Sequence, residues 1–358
     1  MRAYHARMTT AATSATLPAS YADLDPARVL GMLDALGLRG DGRLLQLNSY
    51  ENRVFQVFLE DSAVVVAKFY RPGRWSDEQI LEEHAFSREL AADDVPAIAP
   101  RTLSVVSDDG HALTLLGEPP TLARWSKGNV PHRVAVCDRH AGRSPELEDP
   151  IVLQWLGRFL GRLHTVGARC RFKYRRTLDT ATWGHGARKR LLDGQFIPDT
   201  DLGLWQQWCD AALSRVDRAF ARAGPVAQLR LHGDFHPGNI MWRDEGPHVV
   251  DLDDACNGPA IQDLWMLLSG NPASMREQLG HLLSGYRVFK PFDPRELALV
   301  EPLRTLRMIH HSAWIAERWT DPAFPAAFPW FGSAAYWSQQ TTQLREQVEA
   351  MDDPPELA

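Results

Sequence analysis

The chain has 358 residues, 44% of them hydrophobic and 23% charged, which is enough to bury one large core or two smaller ones. Its formal net charge of −6 argues against a general nucleic-acid-binding protein, and its apolar runs fall short of the ~20 residues that a membrane-spanning helix needs. Its four cysteines are scattered, which favours reduced thiols over disulfide bridges or zinc ligands. These features predict a cytoplasmic protein that binds neither nucleic acid nor a membrane.

The first third of the chain is predicted to be rich in β-strands. Residues 1–21 contain much Ala, Ser and Thr without an apolar core, and a disordered tail is expected there. A helix is predicted over 22–36, where apolar residues recur at helical spacing behind a proline. The elements predicted after it are strands at 43–47, 53–59 and 63–70 and a helix over 76–91.

A polar turn between the first two of these strands lies where a hairpin that covers a nucleotide is expected. It contains Ser49 but no G-x-G-x-x-G motif. The Ser49 hydroxyl and the neighbouring backbone N–H groups could bond phosphate oxygens. An ordinary hairpin turn is the alternative, but the position of the turn in the chain favours nucleotide contact.

The third predicted strand carries Lys68, the sole lysine among the first 126 residues of a chain that otherwise uses arginine. A kinase-type site uses such a compact ammonium to hold the α- and β-phosphates, paired with a glutamate from the next helix. A lysine that merely reaches solvent from a strand is the alternative. Glu82 and Glu83 are both candidate partners, and Glu83 is preferred because it shares a helix face with Phe86 and Leu90.

The segment after this helix predicts the end of a small lobe. A hairpin is expected between 103–106 and 111–116, because the two runs flank an Asp-Asp-Gly turn. Residues 117–132 resemble an insertion or a mobile loop. The last strand of the small lobe is expected at 133–136, and a hinge that meets an adenine at 137–144.

The rest of the chain is predicted to be helical around one embedded β segment. The expected helices are 150–166, 183–193, 202–223, 260–270, 273–287, 294–318 and 333–350. A β-rich part followed by a helical part indicates an α+β fold of two lobes with a cleft between them. The predicted nucleotide-binding lobe is 22–136, the catalytic lobe is 145–350, and a short tail occupies 351–358.

The strongest chemical signal is the sequence L-H-G-D-F-H-P-G-N, followed twelve residues later by D-L-D. Its order and spacing match the kinase motifs H-R-D-L-x-x-x-N and D-F-G, although glycine replaces the Arg and Asp253 replaces the last Gly. In those motifs the first Asp accepts the proton of the attacking hydroxyl, while the Asn and the later Asp hold Mg²⁺. Asp234 is therefore the predicted catalytic base, and Asn239 and Asp251 are the predicted Mg²⁺ ligands.

Two other interpretations fit this segment less well. A polar loop between core strands would need several residue types to coincide at fixed offsets. A metal hydrolase could use the alternating His232, Asp234 and His236 as ligands. Pro237 and its glycine neighbours make this a loop rather than a strand, so the alternation does not aim these side chains the same way.

Only eleven residues separate Asp251 from Asp263, and no A-P-E motif follows. A long activation segment does not fit in this interval, so its phosphorylation is not the expected switch. Asp263 is predicted to brace the catalytic loop by accepting backbone N–H bonds. An Asp that merely starts a helix is the alternative.

The catalytic sequence, together with L-G-R-F-L-G-R-L-H at 156–164, resembles the aminoglycoside-phosphotransferase and choline-kinase superfamily. Further blocks are similar to the bacterial stress response kinase A (RdoA) family, and they include L-N-S-Y-E-N-R-V at 47–54, K-F-Y-R-P at 68–72 and D-P-A-F-P at 321–325. This resemblance implies a protein-kinase-like fold and a cytoplasmic, ATP- and Mg²⁺-dependent Ser/Thr protein kinase of stress responses that also phosphorylates itself.

By the same resemblance Asp234 is the proton acceptor, Asn239 and Asp251 hold Mg²⁺, and Ser49 marks the turn that contacts ATP. The expected partners are ATP and a protein Ser/Thr acceptor, the chain itself included, and a monomer is expected. A kinase of small alcohols such as aminosugars, choline or homoserine would share the ATP-binding residues and stays open as an alternative. A nucleotide-binding regulator without activity is a third hypothesis, against which the complete catalytic set argues.

Overall fold

The computed structural model describes residues 21, 24–107, 112–126 and 131–353. The predicted disordered tail therefore lies outside the described residues except for Tyr21, and so do the last five residues of the predicted C-terminal tail. Among the helices of the described part of the chain, none is both long and apolar enough to cross a membrane.

Within the described residues, the N-terminal lobe is built on an antiparallel sheet of six strands in the order β1-β2-β3-β6-β5-β4. The strands are β1 (Gly40–Leu47), β2 (Arg53–Leu59), β3 (Val64–Tyr70), β4 (Leu113–Leu116), β5 (Leu122–Trp125) and β6 (His132–Asp138). Helix α1 (Pro26–Ala35) packs on one face of the sheet, and α2 (Asp77–Ala92) packs on the other. Helix α2 begins as predicted at Ser76, whose side chain forms a reciprocal capping box with Gln79.

Strand β3 places Lys68 on the α2 side of the sheet. Val65, Ala67 and Phe69 are buried in the core that α1 covers. Side chains alternate along a strand, so Lys68 and Tyr70 project to the opposite face. The β-branched run that predicted this strand thus also determines which way the ammonium points.

Two expectations for the small lobe are wrong. Residues 122–125 lie in the segment predicted to be an insertion or mobile loop, yet they form β5 and pair with both β4 and β6. The partner of β4 is therefore β5, and residues 103–106 form no strand. Both strands have four residues, too few for a period of two to be visible beside the glycine and prolines of the turn. Strand β6 also continues through Asp138, two residues into the predicted hinge.

The C-terminal lobe is mainly helical. The helices that the structure describes there are α3 (Pro150–Gly167), α4 (Ala187–Asp193), α5 (Asp199–Ala223), α6 (Ile261–Trp265), α7 (Pro272–Tyr286), α8 (Val300–Glu317), α9 (Ala323–Ala327) and α10 (Ala334–Asp352). A π-helical turn, Ala181–Gly186, runs directly into α4. Two of the predicted helices are shorter than expected, because α6 ends at Trp265 and a 3₁₀ turn, Pro294–Leu299, precedes α8.

Two small β ribbons are embedded among these helices. Strand β7 (Leu229–Leu231) pairs with β10 (Cys256–Gly258), and β8 (Ile240–Arg243) pairs with β9 (Gly246–Val249), all antiparallel. The loops that connect these strands carry the catalytic motif, because Asp234 and Asn239 lie between β7 and β8 and Asp251 lies between β9 and β10.

Helices α3 and α7 pack closely because glycines lie at their interface. A Cβ atom on Gly157 would lie 2.0 Å from the carbonyl oxygen of Leu282, and one on Gly161 would lie 2.6 Å from that of Tyr286. Only glycine permits such an approach of two backbones. The glycines of the L-G-R-F-L-G-R-L-H block therefore have a packing role, and the block ends in His164, which faces the active site.

Candidate active site

A single buried carboxylate holds the catalytic loop. Asp263, on α6, accepts the backbone N–H of His232 at 2.9 Å and that of Gly233 at 2.9 Å. His164 Nε2 donates to the same side chain at 3.0 Å, and its Nδ1 lies 3.1 Å from the Tyr286 hydroxyl. The predicted bracing role of Asp263 is thus confirmed, and the final histidine of the α3 block is part of the brace.

The loop geometry explains why glycine stands where the kinase motif has arginine. Gly233 has a φ of +84°, and a Cβ atom there would lie 2.2 Å from the carbonyl oxygen of Asp254. Both the backbone conformation and the space exclude a side chain. The substitution therefore reflects close packing of this loop against the segment that follows Asp251.

Asp234 and Asn239 are joined by one hydrogen bond. The Asn239 side-chain amide donates to the Asp234 carbonyl oxygen at 3.0 Å, which directs the amide nitrogen inward and leaves Asn239 Oδ1 available as a ligand. Asp234 Oδ1 lies 2.6 Å from Arg307 Nη1, and its Oδ2 lies 3.4 Å from His236 Nε2. Burial would raise the pKa of Asp234, but these two partners hold it well below its usual value.

The turn after β9 brings Asp251 next to the loop that carries Asp234 and Asn239. The Val250 N–H donates to the Asn239 carbonyl oxygen at 3.1 Å, and His232 Nε2 donates to the Val250 carbonyl oxygen at 3.0 Å. Asp251 itself has φ +62° and ψ +62°, a left-handed conformation that is costly for a residue other than glycine and is common at functional sites. Its carboxylate is half-exposed, and the hydrogen bond between Val250 and Asn239 holds its turn against the loop that carries Asp234 and Asn239.

Lys68 approaches this group from the small lobe. Its Nζ lies 3.0 Å from Asp251 Oδ1 and 3.2 Å from Asp253 Oδ1. Burial would lower the pKa of Lys68, but the two carboxylates raise it well above its usual value. The ammonium is therefore charged and spans the cleft between the two lobes.

Asp253 belongs to this group, although the motif alone had suggested no role for it. Its carboxylate is buried, forms an ion pair with Arg74, and accepts the Asn52 side-chain amide at 3.1 Å. Burial would raise the pKa of Asp253, whereas Arg74 and Lys68 lower it far below its usual value. The sequence pointed to Asp253 only through its place at the glycine position of D-F-G and to Asn52 only as part of the 47–54 block, and it gave no signal for Arg74.

The remaining small-lobe predictions lie around Lys68. Ser49 is half-buried in the β1–β2 turn, where its Oγ accepts the Asn52 N–H at 3.2 Å. Glu83 is buried in α2, 3.4 Å from the Tyr70 hydroxyl; burial raises its pKa, and the nearby Lys68 charge opposes this rise. The direct ion pairs of Lys68 are instead those with the two aspartates.

Glu82, the other candidate, has a different task. Its carboxylate oxygens accept three consecutive backbone N–H groups of the large lobe, those of residues 173–175, at 2.5 to 2.9 Å. These three hydrogen bonds connect α2 to the segment that follows α3. Glu82 is thereby excluded as the partner of Lys68.

The histidines of the catalytic loop do not have the arrangement of a hydrolase metal site. His232 uses Nε2 for the Val250 carbonyl oxygen, and its Nδ1 accepts the Asp234 N–H at 3.3 Å. His236 Nδ1 accepts the Gly238 N–H at 3.0 Å. By contrast, the side-chain oxygen of Asn239 (Oδ1) and the Asp251 carboxylate are the hard oxygen ligands that Mg²⁺ prefers.

Known proteins with similar sequences and folds match nearly the whole chain. The sequence profile of the phosphotransferase enzyme family matches residues 43–300. Stress response kinase A of Salmonella paratyphi A is 41% identical over 336 residues, which cover 94% of this chain and 96% of that protein. Serine/threonine protein kinase RdoA of Salmonella typhimurium is 40% identical over the same shares of the two chains.

A solved structure, amicoumacin kinase hAmiN in complex with AMP-PNP, Ca²⁺ and Ami, has a TM-score of 0.67 to this chain. It is 20% identical, and the match covers 93% of this chain and 95% of that one. The predicted α+β fold of two lobes, protein-kinase-like, is therefore confirmed. The chain belongs to the phosphotransferase enzyme family and, within it, to the stress response kinase A (RdoA) group of kinases.

Proposed function

We propose that this chain is an ATP- and Mg²⁺-dependent Ser/Thr protein kinase of the cytoplasm that acts in stress responses and also phosphorylates itself. The single observation that carries the proposal is the approach of Lys68 Nζ to within 3.0 Å of Asp251 Oδ1. It brings the amine expected to hold nucleotide phosphates beside the carboxylate expected to hold the metal. The names of the similar kinases from Salmonella support the same activity.

Each predicted site residue has a task in this proposal. Lys68 binds the α- and β-phosphates with Glu83 behind it, and the turn at Ser49 contacts ATP. Asn239 Oδ1 and the Asp251 carboxylate are the residues that would hold Mg²⁺. When bound, Mg²⁺ neutralises charge on the phosphate oxygens during transfer.

Asp234 orients the acceptor hydroxyl and takes its proton. The lowered pKa of Asp234 keeps this carboxylate ionised at neutral pH, so it can accept a hydrogen bond from the incoming hydroxyl. The brace at Asp263 fixes the loop that carries it, which supports catalysis because positioning supplies most of the barrier reduction in phosphate transfer.

The proposal is tested with radiolabelled ATP and Mg²⁺. The unmodified chain should label itself on serine or threonine, and Asp234→Asn should reduce the rate by about 10²–10⁴-fold, the usual cost of losing a general base. Asp244→Asn is the matched control, because Asp244 is exposed in the β8–β9 turn. Label that persists in Asp234→Asn would remove Asp234 from its assigned role, and normal ATP use by Lys68→Ala would remove Lys68.

A kinase of small alcohols is the second candidate, and one observation favours it. The interval between Asp251 and Asp263 is filled by a 3₁₀ turn, β10 and the start of α6, so it holds no long activation segment of the protein-kinase kind. Faster phosphorylation of choline, homoserine or an aminosugar than of protein serine would favour this alternative.

A further inference from the structure

Arg307 occupies the acceptor side of the proposed base. It lies on α8, and its Nη1 is 2.6 Å from Asp234 Oδ1, while Lys68 and Asp251 meet on the nucleotide side. The Arg307 side chain is 37% exposed, so it borders solvent rather than the core. A hydroxyl that approaches Asp234 therefore meets this guanidinium.

Several other arginine side chains lie near Arg307. His310, one turn along α8, stacks on Trp183 of the π-helical turn with ring centroids 4.4 Å apart. Burial lowers the pKa of His310 to about 3, and Arg176, Arg190, Arg318 and Arg307 lie near enough to lower it as well. A ring with this pKa is neutral at physiological pH. The surroundings of Arg307 therefore carry guanidinium charge, to which the buried His310 adds none.

Three of these guanidiniums already have anionic or aromatic partners. Arg190 pairs with Glu317 at 2.6 Å, Arg318 pairs with Glu51 at 2.5 Å, and Arg176 lies 4.7 Å from the Trp75 ring centroid. Arg307 differs from them, because its partner is the carboxylate that must be free to accept a proton. An anionic group on the acceptor would give Arg307 another partner, and a cationic acceptor would be repelled by it.

We propose that Arg307 determines acceptor specificity by binding an acidic side chain next to the target serine or threonine, so that the acceptor is an acidic peptide segment. This inference rests on the proposed function. As the acidic group pairs with Arg307, the guanidinium leaves Asp234 Oδ1. The hydroxyl proton then moves to that oxygen, the hydroxyl oxygen bonds to the γ-phosphorus, and the bond to the bridging oxygen breaks, which releases ADP.

The test measures peptide binding separately from phosphate transfer. Three fluorescein-labelled peptides share one serine and differ only in its flanks, which are Glu, Gln or Lys. Fluorescence anisotropy with the full chain should show the Glu peptide bound about tenfold more tightly than the Gln peptide, as expected for one charge-assisted pair. Arg307→Gln should abolish this preference, Arg307→Lys should keep part of it, and Arg307→Glu should turn it towards the Lys peptide. Arg345→Gln, an exposed charge on α10, should leave it unchanged.

Equal binding of the three peptides by the unmodified chain would overturn the inference. So would an acidic preference that survives in Arg307→Gln, or faster phosphorylation of choline than of the Glu peptide. If the Glu peptide binds in an Arg307-dependent manner but receives no label, the proposed kinase function fails while the recognition by Arg307 stands.

Discussion

At the scale of single residues, Asp263 connects three parts of the large lobe through one carboxylate. It is fully buried, and it satisfies two backbone N–H groups of the catalytic loop and one nitrogen of His164. Asp263→Asn keeps the shape but replaces an acceptor oxygen with a donor that faces other donors. We expect a loss of about 2 kcal/mol in the free energy of unfolding and about a 10²-fold fall in kcat, because the loop that carries Asp234 loses its position.

Urea unfolding and steady-state kinetics measure these two effects. The pair His164→Gln and Asp263→Asn provides a double-mutant cycle, in which two groups of one network should lose less together than the sum of their separate losses. Strict additivity would show that His164 does not act through Asp263, and full activity in Asp263→Asn would show that the catalytic loop does not depend on this brace.

His84 should make the stability of the protein depend on pH. It is buried between the Tyr70 hydroxyl at 2.8 Å and Thr121 Oγ1 at 2.9 Å. Burial, with help from the Lys68 and Arg175 charges, lowers the pKa of His84 from 6.5 to about 3. Below pH 6.5, the pKa of His84 in the unfolded chain, the unfolded state binds a proton that the native state does not bind. Stability therefore falls as the pH drops from 6.5 towards 3.

Between about pH 7 and pH 5 this single group should cost on the order of 2 kcal/mol of unfolding free energy. His84→Gln keeps a polar side chain without the titration, so its unfolding free energy should change less over that interval. Urea unfolding of both chains at a series of pH values gives the two slopes. Identical slopes would mean that His84 does not titrate in this way.

The residues proposed for catalysis could be picked out of the sequence because they follow a local spacing. Asp234 and Asn239 belong to one short loop, and Asp251 follows it after one hairpin. The partners of these residues were not predictable, because they are distant in the chain. Arg74 is 179 residues from Asp253, and no local pattern connects Arg307 to Asp234.

At the scale of elements, the length of each helix or strand determined whether it was predicted correctly. Helix α2 was predicted correctly, because Ser76 caps it and its apolar positions repeat over sixteen residues. Strand β4 was predicted but given the wrong partner, and β5 was missed, because four residues between turn-forming residues carry too little pattern. The left-handed backbone at Asp251 was also beyond prediction, since packing against the catalytic loop imposes it.

Helix α2 is fixed to the large lobe by Glu82, and this contact can be tested. The carboxylate accepts three consecutive backbone N–H groups at 173–175, so Glu82→Gln must turn an amide donor towards backbone donors. We expect a loss of about 1 kcal/mol in unfolding free energy, the usual net contribution of a hydrogen bond, because this contact is only partly buried. We also expect a higher KM for ATP, because α2 carries Glu83 behind Lys68.

Thermal unfolding and ATP kinetics of Glu82→Gln measure both effects. Glu78→Gln, in the exposed first turn of the same helix, is the matched control. If the two variants behave alike, the interaction of Glu82 with the 173–175 segment contributes nothing to the position of α2.

At the scale of the whole molecule, sequence blocks that resemble those of stress response kinases meet where the two lobes join. Arg71 of K-F-Y-R-P pairs with Asp321 of D-P-A-F-P at 2.7 Å. The Tyr50 ring in the β1–β2 turn lies 5.0 Å from that of Phe328, just after α9. The change from β-rich to helical sequence predicted two lobes, but it gave no sign that these distant blocks lock them together.

Glu51 is the centre of this junction. Its buried carboxylate lies 2.5 Å from Arg318 Nε, 3.8 Å from Arg74 Nε and 3.9 Å from Arg71 Nε, and it accepts the Trp314 indole N–H. Arg318 and Trp314 belong to the large lobe, whereas Glu51 lies in the turn next to Ser49. Glu51 thus connects the turn expected to cover ATP to the large lobe.

Glu51→Ala should open this junction, because Arg318 loses its nearest anion and the Trp314 indole loses its acceptor. Arg71 and Arg74 keep Asp321 and Asp253, so the expected loss in unfolding free energy is about 1–3 kcal/mol, below that of a fully uncompensated buried charge. Backbone amides at 48–52 should then exchange with deuterium at least about tenfold faster, since the turn loses its anchor on α8. Hydrogen exchange followed by mass spectrometry measures this rate, with Glu60→Ala in the exposed β2–β3 turn as the control.

In Glu51→Ala, ATP would then have to close an open turn, so the KM for ATP should rise while the acceptor preference stays unchanged. Exchange at 48–52 equal to that of the control would show that aromatic packing at Tyr50 and Phe328, rather than charge, joins the lobes.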